Sequence, residues 1–115
     1  MKPIVIAALL AALSVLPSLA ESSGHLVNGM GMTLYFSDRD TGGASHCDTA
    51  CTAQWPPHYA AENAAGSGDW GVVTRSDGYK QWTYKGKPLY SSRSDSKPGD
   101  TNGNGVDGVW HIARP

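Results

Sequence analysis

The apolar positions of this chain follow two unlike patterns. Residues 4–16 form an almost unbroken apolar run, whereas later the apolar residues come in short β-branched and aromatic clusters between glycine turns. No stretch keeps a helical period over three turns, so the second pattern predicts strands. Residues 25–27 and 32–36 flank Asn28-Gly29, a strong hairpin dipeptide. Residues 81–84 and 88–90 flank Lys85-Gly86-Lys87, and residues 71–75 and 79–82 flank Ser76-Asp77-Gly78, whose glycine accepts a positive φ. Three hairpins imply antiparallel pairing. Residues 60–69, small and polar, and residues 91–108, rich in Ser, Gly, Asp and Asn, read as surface loops. The expected fold class is all-β, a small antiparallel domain with helix a minor component.

The first apolar run has a different meaning. Lys2 precedes it, and Ser18-Leu19-Ala20 sets small residues at the two positions read for cleavage, which is the pattern of a signal peptide cut between Ala20 and Glu21. The run is shorter than the ~20 apolar residues of a bilayer span, and Pro17 interrupts its end. The expected organisation is therefore a signal peptide over 1–20 and a single secreted β domain over 21–115, with no membrane span after cleavage. That places the protein in the periplasm or outside the cell. Cleavage removes one of nine basic side chains and none of ten acidic ones, taking the formal charge from −1 to −2. Nucleic acid is not an expected partner.

A domain of this size buries only about 60–65% of its unfolded surface, so a covalent staple helps it. Cys47 and Cys51 are the two cysteines, and an exported pair meets oxidising conditions in which it closes.

The chain also matches itself at an offset of 55 residues: Gly31, Leu34, Tyr35, Asp40 and Trp55 fall on Gly86, Leu89, Tyr90, Asp95 and Trp110. Matching Trp and Tyr, which are rare, points to a tandem duplication, with repeat 1 over about 25–60 and repeat 2 over about 80–115. Tyr35, Tyr90, Trp55 and Trp110 are the core candidates, because a chain with one Phe and few aliphatics needs aromatics to fill its interior. Asp40 and Asp95 are expected as turn or cap acceptors for backbone N–H groups, the alternative being paired catalytic carboxylates. Trp70 and Tyr79 lie outside the repeat identities and are candidates for an exposed aromatic ligand surface.

Leu34-Tyr35-x4-Asp40, Cys47-x3-Cys51-x3-Trp55-Pro56-Pro57, Thr74-Arg75-x-Asp77-Gly78-x2-Gln81-Trp82 and Gly86-x-Pro88-Leu89-Tyr90-x4-Asp95-x2-Pro98-Gly99-Asp100 occur in that order. With these motifs the chain resembles the bacterial "secreted repeat of unknown function" family, whose relatives are described as predicted lipoproteins with a Tyr-x-aromatic-x2-Asp motif. The resemblance spans residues 25–115 and implies export and a repeated fold, with no activity attached. Ser37 and Ser92 stand where that motif has an aromatic, and Glu21 stands where a lipoprotein has its cysteine.

Three sets of side chains suggest metal chemistry. His46, Cys47, Cys51 and His58 offer two thiolates and imidazoles suited to copper or zinc, as an alternative to the disulfide. His25 with Met30 and Met32 is a looser soft-ligand set for copper, against a packing role for Met32 on its strand and Met30 at its turn. Asp100, Asn102 and Asn104 followed by Gly105 copy the opening of a calcium loop, against an ordinary Asn/Gly turn. No nucleophile elbow, phosphate-cradling loop or His-Glu-x2-His pattern is present. The sequence reading is an exported, non-catalytic binding or structural module without a cofactor, the alternative being extracytoplasmic copper or zinc handling.

Overall fold

A computed structural model describes residues 24–115, and the expected signal peptide lies outside them. The regular structure of the described residues is mostly antiparallel strand, with one short α-helix. Strand β1 is Tyr35–Ser37, helix α1 is Thr49–Gln54, and β2 is Tyr59–Ala60. They are followed by β3 at Trp70–Thr74, β4 at Lys80–Tyr84, β5 at Lys87–Pro88 and β6 at Trp110–Ile112.

Strand β4 is the centre of the larger sheet. It pairs with β3 from Trp70↔Tyr84 to Thr74↔Lys80, with β2 at its Lys80 end and with β5 at its Tyr84 end. The alternation of β4 is clear: Gln81 and Thr83 are buried, while Lys80, Trp82 and Tyr84 are half-buried on the other face. In the smaller sheet β1 pairs with β6, with Tyr35↔Ile112 and Ser37↔Trp110 in register.

The hairpin turns differ in detail from the expected ones. Tyr84 pairs directly with Lys87, so the Lys85-Gly86 loop has two residues rather than three, with φ of 49° and 82°. Both residues occupy the left-handed region that a type I′ turn requires. Around Asn28 the reverse happens. The Asn28 carboxamide accepts hydrogen bonds from the amides of Met30 and Met32, and the Asn28 amide donates to the Met32 carbonyl, widening the loop and leaving Met30 at its tip, 81% exposed. The third hairpin runs over 70–74 and 80–84, because the Arg75 amide donates to the Tyr79 carbonyl and Asp77 accepts from the Tyr79 amide, closing the turn inside the expected strand ends.

Two core clusters lie on opposite sides of the β1 backbone. Tyr35, Cys47, Trp55, Tyr90 and Trp110 form one; Leu26, Leu34, Leu89 and Ala113 form the other, with Phe36, Trp70 and Tyr84 packed against it. Adjacent residues Leu34-Tyr35 and Leu89-Tyr90 therefore serve different cores, as strand alternation demands. Trp55 and Trp110 stack with ring centroids 3.8 Å apart at 5°, and each meets its own repeat's tyrosine edge-on: Tyr35 on Trp55 at 5.6 Å, Tyr90 on Trp110 at 5.1 Å.

The two repeats are not two lobes. The Leu26 amide donates to the Ala113 carbonyl and the Ala113 amide to Leu34, so the end of repeat 2 completes the hairpin of repeat 1. Reciprocally, the Trp82 amide donates to His58 and the His58 amide to Leu89, so the end of repeat 1 completes the hairpin of repeat 2. Each repeat lends its last strand to the other. Tyr35 and Tyr90 exchange both backbone hydrogen bonds, at 2.7 and 2.9 Å, where the two halves meet.

Candidate functional site

The repeated tyrosines and aspartates bond across the repeats. The Tyr35 hydroxyl donates to Asp95 and the Tyr90 hydroxyl to Asp40, each at 2.7 Å. The second oxygen of each carboxylate accepts a backbone amide at the following turn, His46 for Asp40 and Asn102 for Asp95. Burial, together with the facing carboxylate, pushes both phenols well above the usual 10.0. Neither is poised for proton transfer near neutral pH.

Around Tyr90 this arrangement extends into a network that has no counterpart at Tyr35. Ser45 Oγ lies 2.6 Å from the Tyr90 hydroxyl, and Arg75 donates to Ser45, to Gln81 Oε1 and to the Cys47 carbonyl at 2.8–2.9 Å, while its Nε pairs with Asp77. Arg75 is 5% exposed and each of its nitrogens has a partner. At Tyr35 the corresponding contact is the Gly103 amide, 3.2 Å from the hydroxyl. The Arg75 network ties β3, β4 and the turn before α1 together, and it left no local pattern in the sequence because its partners Ser45 and Cys47 lie some thirty residues away.

Asp48 caps helix α1 by accepting from the Cys51 amide, and Cys47 and Cys51, one helical turn apart, are joined in a disulfide. Both sulfurs are thereby consumed. Neither is free as a thiolate in this oxidised form, and His46 has its Nε2 at 3.4 Å from the Thr41 hydroxyl. Of the second soft-ligand set, His25 is buried with Nε2 3.1 Å from the Thr33 hydroxyl, Met32 is half-buried and Met30 is exposed. Among the described residues no group of three or more His, Cys, Asp and Glu side chains is placed to hold a metal ion.

The calcium-like loop uses its oxygens internally. Asp100 accepts from the Ser96 and Lys97 amides and pairs with Lys97 Nζ at 2.8 Å; Asn102 donates to the Ser94 carbonyl; Asn104 accepts from the Ile112 amide. These side chains turn to different partners instead of one centre. Lys97 and the amides hold the Asp100 carboxyl well below the usual 3.8. His111 meets Asp38 at 2.7 Å.

The aromatic residues outside the repeat identities separate into two places. Tyr79 is 64% exposed and meets Tyr59, itself 51% exposed, edge-on at 5.7 Å. Trp70, expected to be exposed, is half-buried: it packs on Tyr84 at 5.0 Å and meets Trp82 at 6.1 Å and 90°, on the face of β4 opposite Gln81 and Thr83. Register explains the grouping, since Trp70 is directly opposite Tyr84 and Trp82 stands two residues before it. Trp70, Trp82, His58, Ala65 and Ser67 line an open cleft of about 420 Å³. Burial pushes His58 below its usual 6.5, so the imidazole is neutral at neutral pH and offers one donor and one acceptor. The alternation of Trp82 and Tyr84 was the sequence signal for this face; the arrival of His58 from the other repeat had none.

A family model described as a secreted repeat of unknown function matches residues 20–58 and again residues 71–114. The chain belongs to this family, and export is a property that membership carries. No curated protein and no solved structure matches it.

Proposed function

We propose that this protein is an exported, non-catalytic binding module that takes a ligand with a flat apolar face, of the kind a sugar ring presents, in the cleft between Trp70, Trp82 and His58. The observation that carries the reading is the pair of indoles set at 90° around an open cleft whose other walls are a neutral imidazole and the Ser67 hydroxyl. Aromatic surface with a few polar groups is the usual composition of a small-ligand site. The titratable groups of the repeat motif support a structural role for that motif, because Asp40 and Asp95 each hold a tyrosine hydroxyl and a backbone amide.

The test is titration of the 15N-labelled chain, residues 21–115, with soluble cell-wall glycan fragments. The indole N–H signals of Trp70 and Trp82 are expected to move while those of Trp55 and Trp110, stacked in the core, stay in place. Trp82→Ala should remove the response with the remaining spectrum retained. Shifts that avoid Trp70 and Trp82, or a response unchanged in Trp82→Ala, would refute the reading.

A further inference from the structure

A second concave surface lies where the β4–β5 hairpin faces the end of repeat 2. Its walls are Phe36, Leu89, Ile112 and Ala113 with the ring of Tyr84, and its volume is about 290 Å³. Leu89 and Ala113 belong to the aliphatic core, so the groove opens onto that core. Its remaining lining residues are Lys85, Lys87 and Arg114, all exposed, and no acidic residue lines it.

This concentration of positive charge stands out in a chain whose formal charge is −1. Elsewhere Arg75 pairs with Asp77, Lys97 with Asp100 and His111 with Asp38, while Arg39, Lys80 and Arg93 form no ion pair among the described residues and line no part of this groove. Among the described residues Lys85, Lys87 and Arg114 form no ion pair; Lys85 lies 5.5 Å over the Tyr84 ring, Lys87 lies 5.0 Å over Phe36, and Arg114 donates to the Gly24 carbonyl. The ammonium groups are thus held over the groove walls by its own aromatics.

The backbone supplies an independent sign. Lys85 has φ of 49°, a left-handed conformation that a lysine adopts at a cost and that Asn or Gly adopts readily at the first position of a two-residue hairpin. The repeat-equivalent turn places Met30 at the corresponding position, with no such φ. A strained residue that folding alone would not select points to a role for its side chain.

We propose that this groove binds a free fatty-acid anion, its hydrocarbon chain lying along Phe36, Leu89 and Ile112 and its carboxylate held by Lys85, Lys87 and Arg114. The walls offer carbon where a peptide backbone would need donors and acceptors, and the volume of about 290 Å³, just under the ~300–1,000 Å³ of small-ligand sites, suits a single chain. Three cations around an acid-free apolar floor complement a carboxylate head on a hydrocarbon tail. The site is separate from the Trp82 and His58 cleft and stands or falls independently of it.

The experiment is calorimetric and NMR titration of residues 21–115 with dodecanoate below its micelle concentration, beside dodecanol, dodecyltrimethylammonium and vesicles of phosphatidylglycerol. Dodecanoate is expected to bind one to one and to move the signals of Phe36, Leu89 and Ile112, with dodecanol and the cationic amphiphile binding more weakly. Lys85→Asn should weaken binding about two- to fivefold, as expected for one exposed charge pair, while the thermal midpoint holds or rises because the turn relaxes. Lys87→Gln should weaken it by a similar factor. Absence of dodecanoate binding, binding unchanged in the Lys85→Asn/Lys87→Gln double variant, or groove shifts produced by the vesicles and not by dodecanoate would overturn the proposal. Trp82→Ala, which removes the aromatic cleft, should leave dodecanoate binding intact.

Discussion

The hydroxyl of Tyr35 donates to Asp95 across the repeat boundary at 2.7 Å, and Tyr90 returns the same bond to Asp40. A spacing of five residues from Tyr to Asp within one repeat is therefore matched to a partner in the other. Both members of the Tyr35–Asp95 pair are buried, which makes the bond one of the interactions that lock the two halves in register.

Removing either hydroxyl leaves a carboxylate short of a donor in a low-dielectric site. Tyr35→Phe is expected to cost about 1.5–3 kcal/mol, the range for a hydrogen bond to a charged group. Tyr90→Phe should cost less than that, since Asp40 is only half-buried and keeps access to water, whereas Asp95 is buried. Urea unfolding of the two variants against the unaltered chain measures both differences.

Gly103 sits against the core aromatics. A Cβ there would lie 2.8 Å from one ring carbon of Trp55 and 3.0 Å from the Tyr35 ring, contacts that neither packed ring can relieve by a small shift. Gly103→Ala should destabilise by about 1–3 kcal/mol through overpacking. The same substitution at Gly105, where nothing lies within 4 Å but φ is 83°, tests backbone strain alone. Thermal unfolding of the two variants separates the causes, because only Gly103→Ala should also shift the Trp55 and Trp110 indole signals.

The disulfide closes a short loop, with a sequence separation of 4. Loop-closure entropy then gives about 2 kcal/mol, at the lower end for such bonds. Reduction should lower the midpoint by about 10 °C without unfolding the chain at 25 °C, since Arg75 still binds the Cys47 carbonyl and Asp48 still caps α1. Scanning calorimetry with and without reductant checks this, and native mass spectrometry of the reduced form with added copper or zinc shows whether the released thiolates take up metal.

Stability should fall on both sides of a neutral plateau. Tyr35 and Tyr90 have folded values raised above 10.0, so above that pH the native state holds protons that the unfolded chain has released; stability is full below about 10 and is lost as pH rises further. His58 has a value lowered below 6.5, so the unfolded chain binds the proton first and stability falls as pH drops through that region. Asp77 and Asp100, both lowered, add a further loss below about 3.8 that exposure to solvent keeps small. Circular dichroism melts from pH 2 to 11 trace this profile, and Tyr35→Phe should flatten its alkaline side.

Sequence periodicity by itself determined the antiparallel strands, the hairpins at Lys85-Gly86 and around Ser76-Asp77-Gly78, and the duplication that makes Tyr35 and Tyr90 equivalent. These are local properties, written in alternation, turn chemistry and self-similarity, which act over a few residues or repeat along the chain. Export and the closing of Cys47 on Cys51 were legible for a similar reason, since two thiols four residues apart need only an oxidant.

What the tertiary structure decided is which copy of each element meets which. A repeat reads the same whether its last strand folds back on its own hairpin or crosses to its twin, because both arrangements bury the same residues. The crossing pairs β1 with β6 and brings His58 beside Trp82, so the aromatic cleft and the Phe36–Leu89 groove are each built from segments far apart in the chain. The same crossing assigns Asp95 to Tyr35 and Asp40 to Tyr90. Long-range pairing of this kind rests on closing loops over tens of residues and on packing against already-formed partners, neither of which leaves a local pattern.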